Sequence, residues 1–144
     1  MISNKIKSYA KINLALNVIG KLFSLHKIET IVLFVNLHDL IRIKKTYGTK
    51  HQISFNGTFS KNIKKDNTVK KLFDILDENK LLDNQKFEVK IKKNIPQKAG
   101  LGGGSMNASA ILKFLIKKKL INVSKKKLYK ICSSVGSDVI LGMY

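Results

Sequence analysis

Alternating apolar positions open the chain. Ile12, Leu14, Leu16 and Val18 recur at every second residue, the spacing of a strand that turns one face to a core. A β-branched and aromatic run over residues 28–46 follows, IETIVLFVNLHDLIRIKKT, interrupted near His38 and Asp39 and resuming with Ile41 and Ile43 between Leu40, Arg42 and Lys44. It reads as two strands with a tight connection. HQISFNG adds a short strand, with Asn56-Gly57 as a turn signal. The period then changes: Val69, Leu72, Phe73 and Leu76 fall on one helical face behind Asp66 or Asn67 as N-cap. Phe87, Val89 and Ile91 alternate with charged residues in a half-exposed strand that ends at Pro96, the only proline. Beyond a glycine cluster, Ala108, Ile111, Leu112 and Leu115 repeat the helical stripe. Leu128, Ile131, Cys132 and Val135 repeat it again behind a Ser124 cap. Strands and helices mix without strict alternation, which places the chain in the α+β class, as one domain over residues 1–144.

Composition narrows the function classes. The chain has 144 residues, 44% hydrophobic and 26% charged, which supports a proper core and excludes wholesale disorder. A net charge of +19 invites nucleic acid or an anionic membrane as partner. Arg42 is the only arginine, however, and arginine is the residue suited to bidentate phosphate and base-edge contacts. The lysines come in short runs scattered over residues 64–65, 92–93, 117–119 and 125–127, the pattern of a solvated basic surface. Nucleic acid is therefore disfavoured. The single cysteine, Cys132, rules out an internal disulfide and fits a reducing compartment. No apolar run approaches the roughly 20 residues of a membrane span, and residues 1–11 lack the apolar segment of a secretory signal. A cytoplasmic protein without a membrane partner is expected.

Candidate chemistry concentrates in NIPQKAGLGGGSMNASAIL, residues 94–112. Four of the nine glycines lie between Gly100 and Gly104. Glycine in an element interior costs roughly 0.5–1 kcal/mol against alanine, so the cluster marks a backbone that bends tightly or approaches something closely. A strand, a proline, a glycine turn and a helix N-terminus in that order suit a phosphate, because first-turn amides and the helix dipole favour anions. Ser105 ends the cluster, placed to cap the helix or to touch a phosphate or its metal. A Walker A loop is excluded, since no Gly-Lys pair is followed by Ser or Thr. A dinucleotide fingerprint starting at Gly100 would need glycine or alanine where Ser105 stands, and no βαβ frame brackets it. A ligand-free strand-to-helix connection would need only one or two glycines, by turn chemistry alone.

PQKAGLGGGSMNASA resembles the second motif of the GHMP kinases, the superfamily of galactokinase, homoserine kinase and mevalonate kinase. SYAKINLALNVIGK, HKIETI, DNTV and VGSDV follow the same likeness in the expected order, and the triple glycine with Ser and Asn is similar to the branch acting on 4-diphosphocytidyl-2-C-methyl-D-erythritol in non-mevalonate isoprenoid (terpenoid) biosynthesis. The resemblance implies the GHMP N-terminal fold, with its ribosomal-protein-like βαβ arrangement, and ATP with Mg2+ as cofactors. It implies transfer of the ATP γ-phosphoryl group to the 2-hydroxyl of that cytidine diphosphate methylerythritol, the small-molecule partner. Pro96, Gln97, Lys98, Ala99, Gly100, Leu101, Gly102, Gly103, Gly104, Ser105 and Met106 would wrap the ATP phosphates. Lys11 and Asp138 correspond to the catalytic pair, and Asn13 and His26 to substrate-side residues; no metal ligand from the protein is implied.

Three positions depart from the motifs: Leu25 stands for the tyrosine before His26, Met106 for a second serine, and Ile140 for a proline. Leucine keeps apolar contact with a cytosine ring but forgoes a stacking contribution of roughly 0.5–1.5 kcal/mol. The second half of the superfamily pattern, with its third glycine-rich motif, does not follow Asp138. The chain is thus expected to be the N-terminal half, with surface open to association such as a homodimer. Two other readings stand beside the kinase: a basic RNA-binding protein of related fold, and a folded kinase fragment without activity.

Overall fold

The computed structural model describes residues 3–23 and 25–144, with the side chains of residue 22 and residues 25–27 outside the description. Two long antiparallel strands, β1 (Asn4–Leu22) and β2 (Leu25–Thr46), precede the short β3 (Gln52–Asn56), helix α1 (Thr68–Glu78) and β4 (Lys86–Lys92). The sheet order is β1-β2-β4-β3. β3 and β4 are parallel neighbours joined through α1, a βαβ unit that leads into the glycine cluster rather than bracketing it. Helices α2 (Gly103–Lys117) and α3 (Lys125–Val135) and a 3₁₀ turn (Val139–Met143) complete the described chain.

Alternation along β2 and β4 divides the sheet into two faces. Ile41, Ile43, Phe87, Val89 and Ile91 are buried against Val69, Leu72, Phe73 and Leu76 of α1 and Ile111, Leu112 and Leu115 of α2. Ile131, Cys132 and Val135 of α3 close the same core. Burial of each such large side chain contributes about 1.5–3 kcal/mol. Arg42, Lys90 and Lys92 occupy the opposite, solvated face.

Two expectations are corrected. The 28–46 run is one strand, not two. Its interruption is a bulge: Tyr9 pairs with His38 and Ala10 with Val35, leaving Asn36 and Leu37 without β1 partners. A bulge breaks alternation as a turn does, but keeps the strand direction and increases its twist. The apolar stripe of β1 does form a strand, yet its face is not in the core. Leu14, Leu16 and Val18 are 61%, 50% and 60% exposed, because β4 pairs β2 only along Leu40–Thr46 and the β1–β2 ribbon runs on past it.

Asn67 is the N-cap of α1, its Oδ1 accepting from the amides of Val69 (3.1 Å) and Lys70 (3.0 Å). Asn67→Ala is expected to lower unfolding free energy by about 1 kcal/mol, read from urea denaturation.

His51 fastens β3 to its neighbours. Nδ1 accepts the Phe87 amide at 3.1 Å, which fixes the proton on Nε2, facing Asp77 Oδ2 at 3.2 Å. Burial holds its pKa below 6.5, against the opposing pull of the Asp77 hydrogen bond and charge. The fold therefore favours neutral imidazole. Its contribution is complete above the unfolded value of 6.5 and is lost as pH falls below that value towards the folded pKa. Between about pH 7 and 5 the urea midpoint is expected to fall, and His51→Gln is expected to flatten that slope. An equal slope in the variant contradicts this.

Candidate active site

The loop between β4 and α2 is built by contacts on both flanks. Gln97 Nε2 donates to the carbonyls of Phe59 (2.6 Å) and Lys61 (2.7 Å), tying the exposed side of the loop to the chain before α1. On the other flank the Lys11 amide donates to Leu101 O at 3.1 Å, so the loop runs along β1. Gly100 and Gly102 sit at φ +72° and +66°, in the left-handed region that favours glycine. Gly102 meets a second demand: a Cβ there would lie 2.9 Å from Lys11 Cγ and 3.0 Å from Lys11 Cε. The lysine side chain passes directly beneath the loop.

The start of α2 differs from the starts of the other two helices. Asn67 caps α1, and Ser124 caps α3 through the Lys127 amide at 3.3 Å. The N-cap of α2 is Gly102, which offers no side-chain acceptor. Ser105 is thus not the cap; it lies in the first turn. First-turn amides lack intrahelical acceptors, so those of Gly103, Gly104 and Ser105 need an external one, and an anion suits them best. The Met106 amide is engaged with Gly102 O at 2.8 Å, and its side chain is buried. Gly104 abuts the start of α1, where a Cβ would lie 3.0 Å from Thr68 Oγ1. The two helix starts and the loop from Pro96 to Ser105 line a cleft of about 470 Å³.

Lys11 reaches the far side of this loop. Its buried ammonium lies 3.0 Å from Asp138 Oδ2 and donates to Asn13 Oδ1 at 3.2 Å. The Asp138 side chain is 36% exposed against 6% for Lys11, so the carboxylate is accessible while the ammonium is covered. The structure thus brings together Lys11, Asn13, Asp138 and the loop. The His26 side chain lies outside the described residues, as does that of Leu25. Among the described residues, no helix is long and apolar enough to cross a membrane.

One group at the site was not anticipated. Asp39 is fully buried and pairs with Lys93. It also accepts from the Asn94 and Ile95 amides and from Asn107 Nδ2. The available signal was a carboxylate inside an apolar strand, VNLHDLIRI, which needs a buried partner.

The family model "GHMP kinases N terminal domain" matches residues 67–144, more than half of the chain. The chain belongs to the GHMP kinases. Among members of the family, 4-diphosphocytidyl-2-C-methyl-D-erythritol kinase of Pelagibacter ubique is 59% identical over 143 residues, 99% of this chain and 51% of that protein. The Clostridium perfringens protein of the same name is 38% identical over 136 residues, 94% of this chain and 46% of that protein. The chain spans about half the length of these curated relatives. A crystal structure of 4-(cytidine 5'-diphospho)-2C-methyl-D-erythritol kinase superposes with TM-score 0.74 at 22% identity, covering 97% of this chain and 48% of that one. Mevalonate pyrophosphate decarboxylase from Streptococcus pyogenes gives TM-score 0.66 at 19% identity, covering 96% and 44%. Kinases and a decarboxylase share this GHMP fold, so the fold alone does not choose a substrate.

Proposed function

We propose that residues 1–144 form the ATP-binding domain of a kinase that phosphorylates the 2-hydroxyl of 4-diphosphocytidyl-2-C-methyl-D-erythritol. The observation that carries this reading is the seating of the loop: the backbone of Lys11 holds Leu101, and its side chain runs under Gly102 to Asp138. Phosphoryl transfer asks the protein for little covalent chemistry and much positioning and charge neutralisation. In this reading the Gly103, Gly104 and Ser105 amides hold phosphate oxygens. The Lys11 ammonium offsets charge around the transferred group, and Asp138 orients the acceptor hydroxyl and takes its proton late. Asn13 steadies the ammonium from the substrate side.

Magnesium enters with the nucleotide, as MgATP. Side-chain oxygens near the loop come from Ser105 and Asp138 and, at the start of α1, from Asp66, Asn67 and Thr68; with two carboxylates among them, the set fits an ion held mainly by phosphates and water. When bound, the ion neutralises phosphate charge; the protein's share is to align the two reactants. The names of the relatives at 59% and 38% identity support the cytidylated substrate over another alcohol.

The test has two stages. MgATP is expected to raise the melting temperature of the chain, with little dependence on salt. ATP consumption is then compared with the cytidylated substrate, galactose, homoserine and mevalonate, the first alone giving turnover. RNA binding with steep salt dependence and no nucleotide effect would favour the RNA-binding reading.

A further inference from the structure

A buried carboxylate is costly unless charge and hydrogen bonds compensate it, and Asp39 is compensated on both oxygens. Oδ1 accepts the Asn94 amide at 2.7 Å and the Ile95 amide at 2.9 Å. Oδ2 accepts from Asn107 Nδ2 at 3.0 Å and pairs with the Lys93 ammonium. These donors lie on either side of the glycine loop: Lys93, Asn94 and Ile95 lead into it, and Asn107 stands one turn beyond it in α2. The bulge at Asn36 and Leu37 is the local feature of β2 next to Asp39. Gly103 closes the arrangement from above, since a Cβ there would lie 3.2 Å from Lys93 Nζ and 3.1 Å from Ile95 Cγ2. Lys93 and Asn107 both line the cleft, and Asn107 Oδ1 is buried without a hydrogen-bond partner among the described residues.

We propose that Asp39 is a positioning residue which, through Lys93 and Asn107, braces both ends of the glycine loop in its phosphate-receiving shape before nucleotide arrives. The proposal rests on the nucleotide reading of the loop. Stability alone does not account for this cluster, because well-packed apolar residues commonly replace a buried ion pair at no loss, or with a gain. What apolar residues cannot do is fix two successive amides and a side-chain amide from one point. A loop ordered in advance loses less freedom on binding, and that difference appears as affinity.

The double variant Asp39→Leu/Lys93→Met separates the two roles. It is expected to fold, with a urea midpoint lowered only as far as the donors left without Asp39 require, the Asn94 and Ile95 amides and Asn107 Nδ2. Amide hydrogen exchange without nucleotide is expected to quicken about tenfold or more at Asn94 and Ile95, at Met106, whose amide donates to Gly102, and at Lys11, whose amide donates to Leu101, beyond any change in α1 and β4. The Kd for MgATP is expected to rise about tenfold or more. A folded double variant with parental exchange at Lys11 and Met106, or with parental MgATP affinity, overturns the proposal. If the double variant does not fold, Asn107→Ala removes only the α2 arm: exchange should hold at Asn94 and Ile95 and quicken at Met106, whose amide donates to Gly102. Unchanged exchange there overturns the proposal as well. A parent chain that binds no MgATP sinks the kinase reading separately, since the exchange measurement needs no nucleotide.

Discussion

Asp138→Asn is expected to lower turnover of the cytidylated alcohol by about 100- to 10,000-fold while holding MgATP affinity within about threefold. The swap preserves shape, and the carboxamide oxygen can still accept a hydrogen bond from Lys11 Nζ, now 3.0 Å from the carboxylate. It removes the negative charge and the ability to take a proton. An effect confined to turnover identifies a group that acts in the transition state, as opposed to one that holds ground-state nucleotide. A parallel loss of stability and affinity would instead mark Asp138 as a partner that merely keeps Lys11 in place. Near-parental turnover would remove Asp138 from the proposed catalytic pair altogether.

Gly102→Val is expected to damage the loop through two independent causes. At φ +66° a β-branched residue is strained, at a cost of about 1–3 kcal/mol. Its Cβ would also press on Lys11 Cγ and Cε at 2.9 and 3.0 Å, pushing the ammonium from Asp138. MgATP affinity is expected to fall about tenfold or more, with a lower melting temperature. Gly100→Val provides the comparison. Its φ of +72° is equally unsuited to valine, yet nothing lies within 4 Å of a Cβ there. That variant should show the backbone strain without the displacement of Lys11. If the two variants lose affinity equally, the packing of Gly102 on Lys11 is not what positions the ammonium.

These two glycines also show what was legible in the sequence. Four glycines in five residues signalled a backbone under unusual demand, and the loop is there. The helices were legible for the same local reason: Val69, Leu72, Phe73 and Leu76 repeat at the helical period behind Asn67, and all four are buried. What failed was information carried by distant partners. Alternation in Leu14, Leu16 and Val18 says that one face is apolar, not whether another layer covers it. The interruption at His38 and Asp39 looks alike whether the chain reverses or bulges, because both suspend the pleat. Asp39 is compensated by a lysine 54 residues away, and no local pattern distinguishes Lys93 from its many counterparts on the surface. Lys11 and Asp138 emerged from motif resemblance; their meeting across the loop is a property of the fold.

The most direct measurement of the central claim is a MgATP titration of isotope-labelled chain, followed through its backbone amide resonances. The account predicts saturable shifts centred on Gly102, Gly103, Gly104 and Ser105, extending to Thr68 on one side and Lys11 on the other. Shifts scattered over the lysine-bearing segments 117–119 and 125–127, with the glycine loop unmoved, would contradict it.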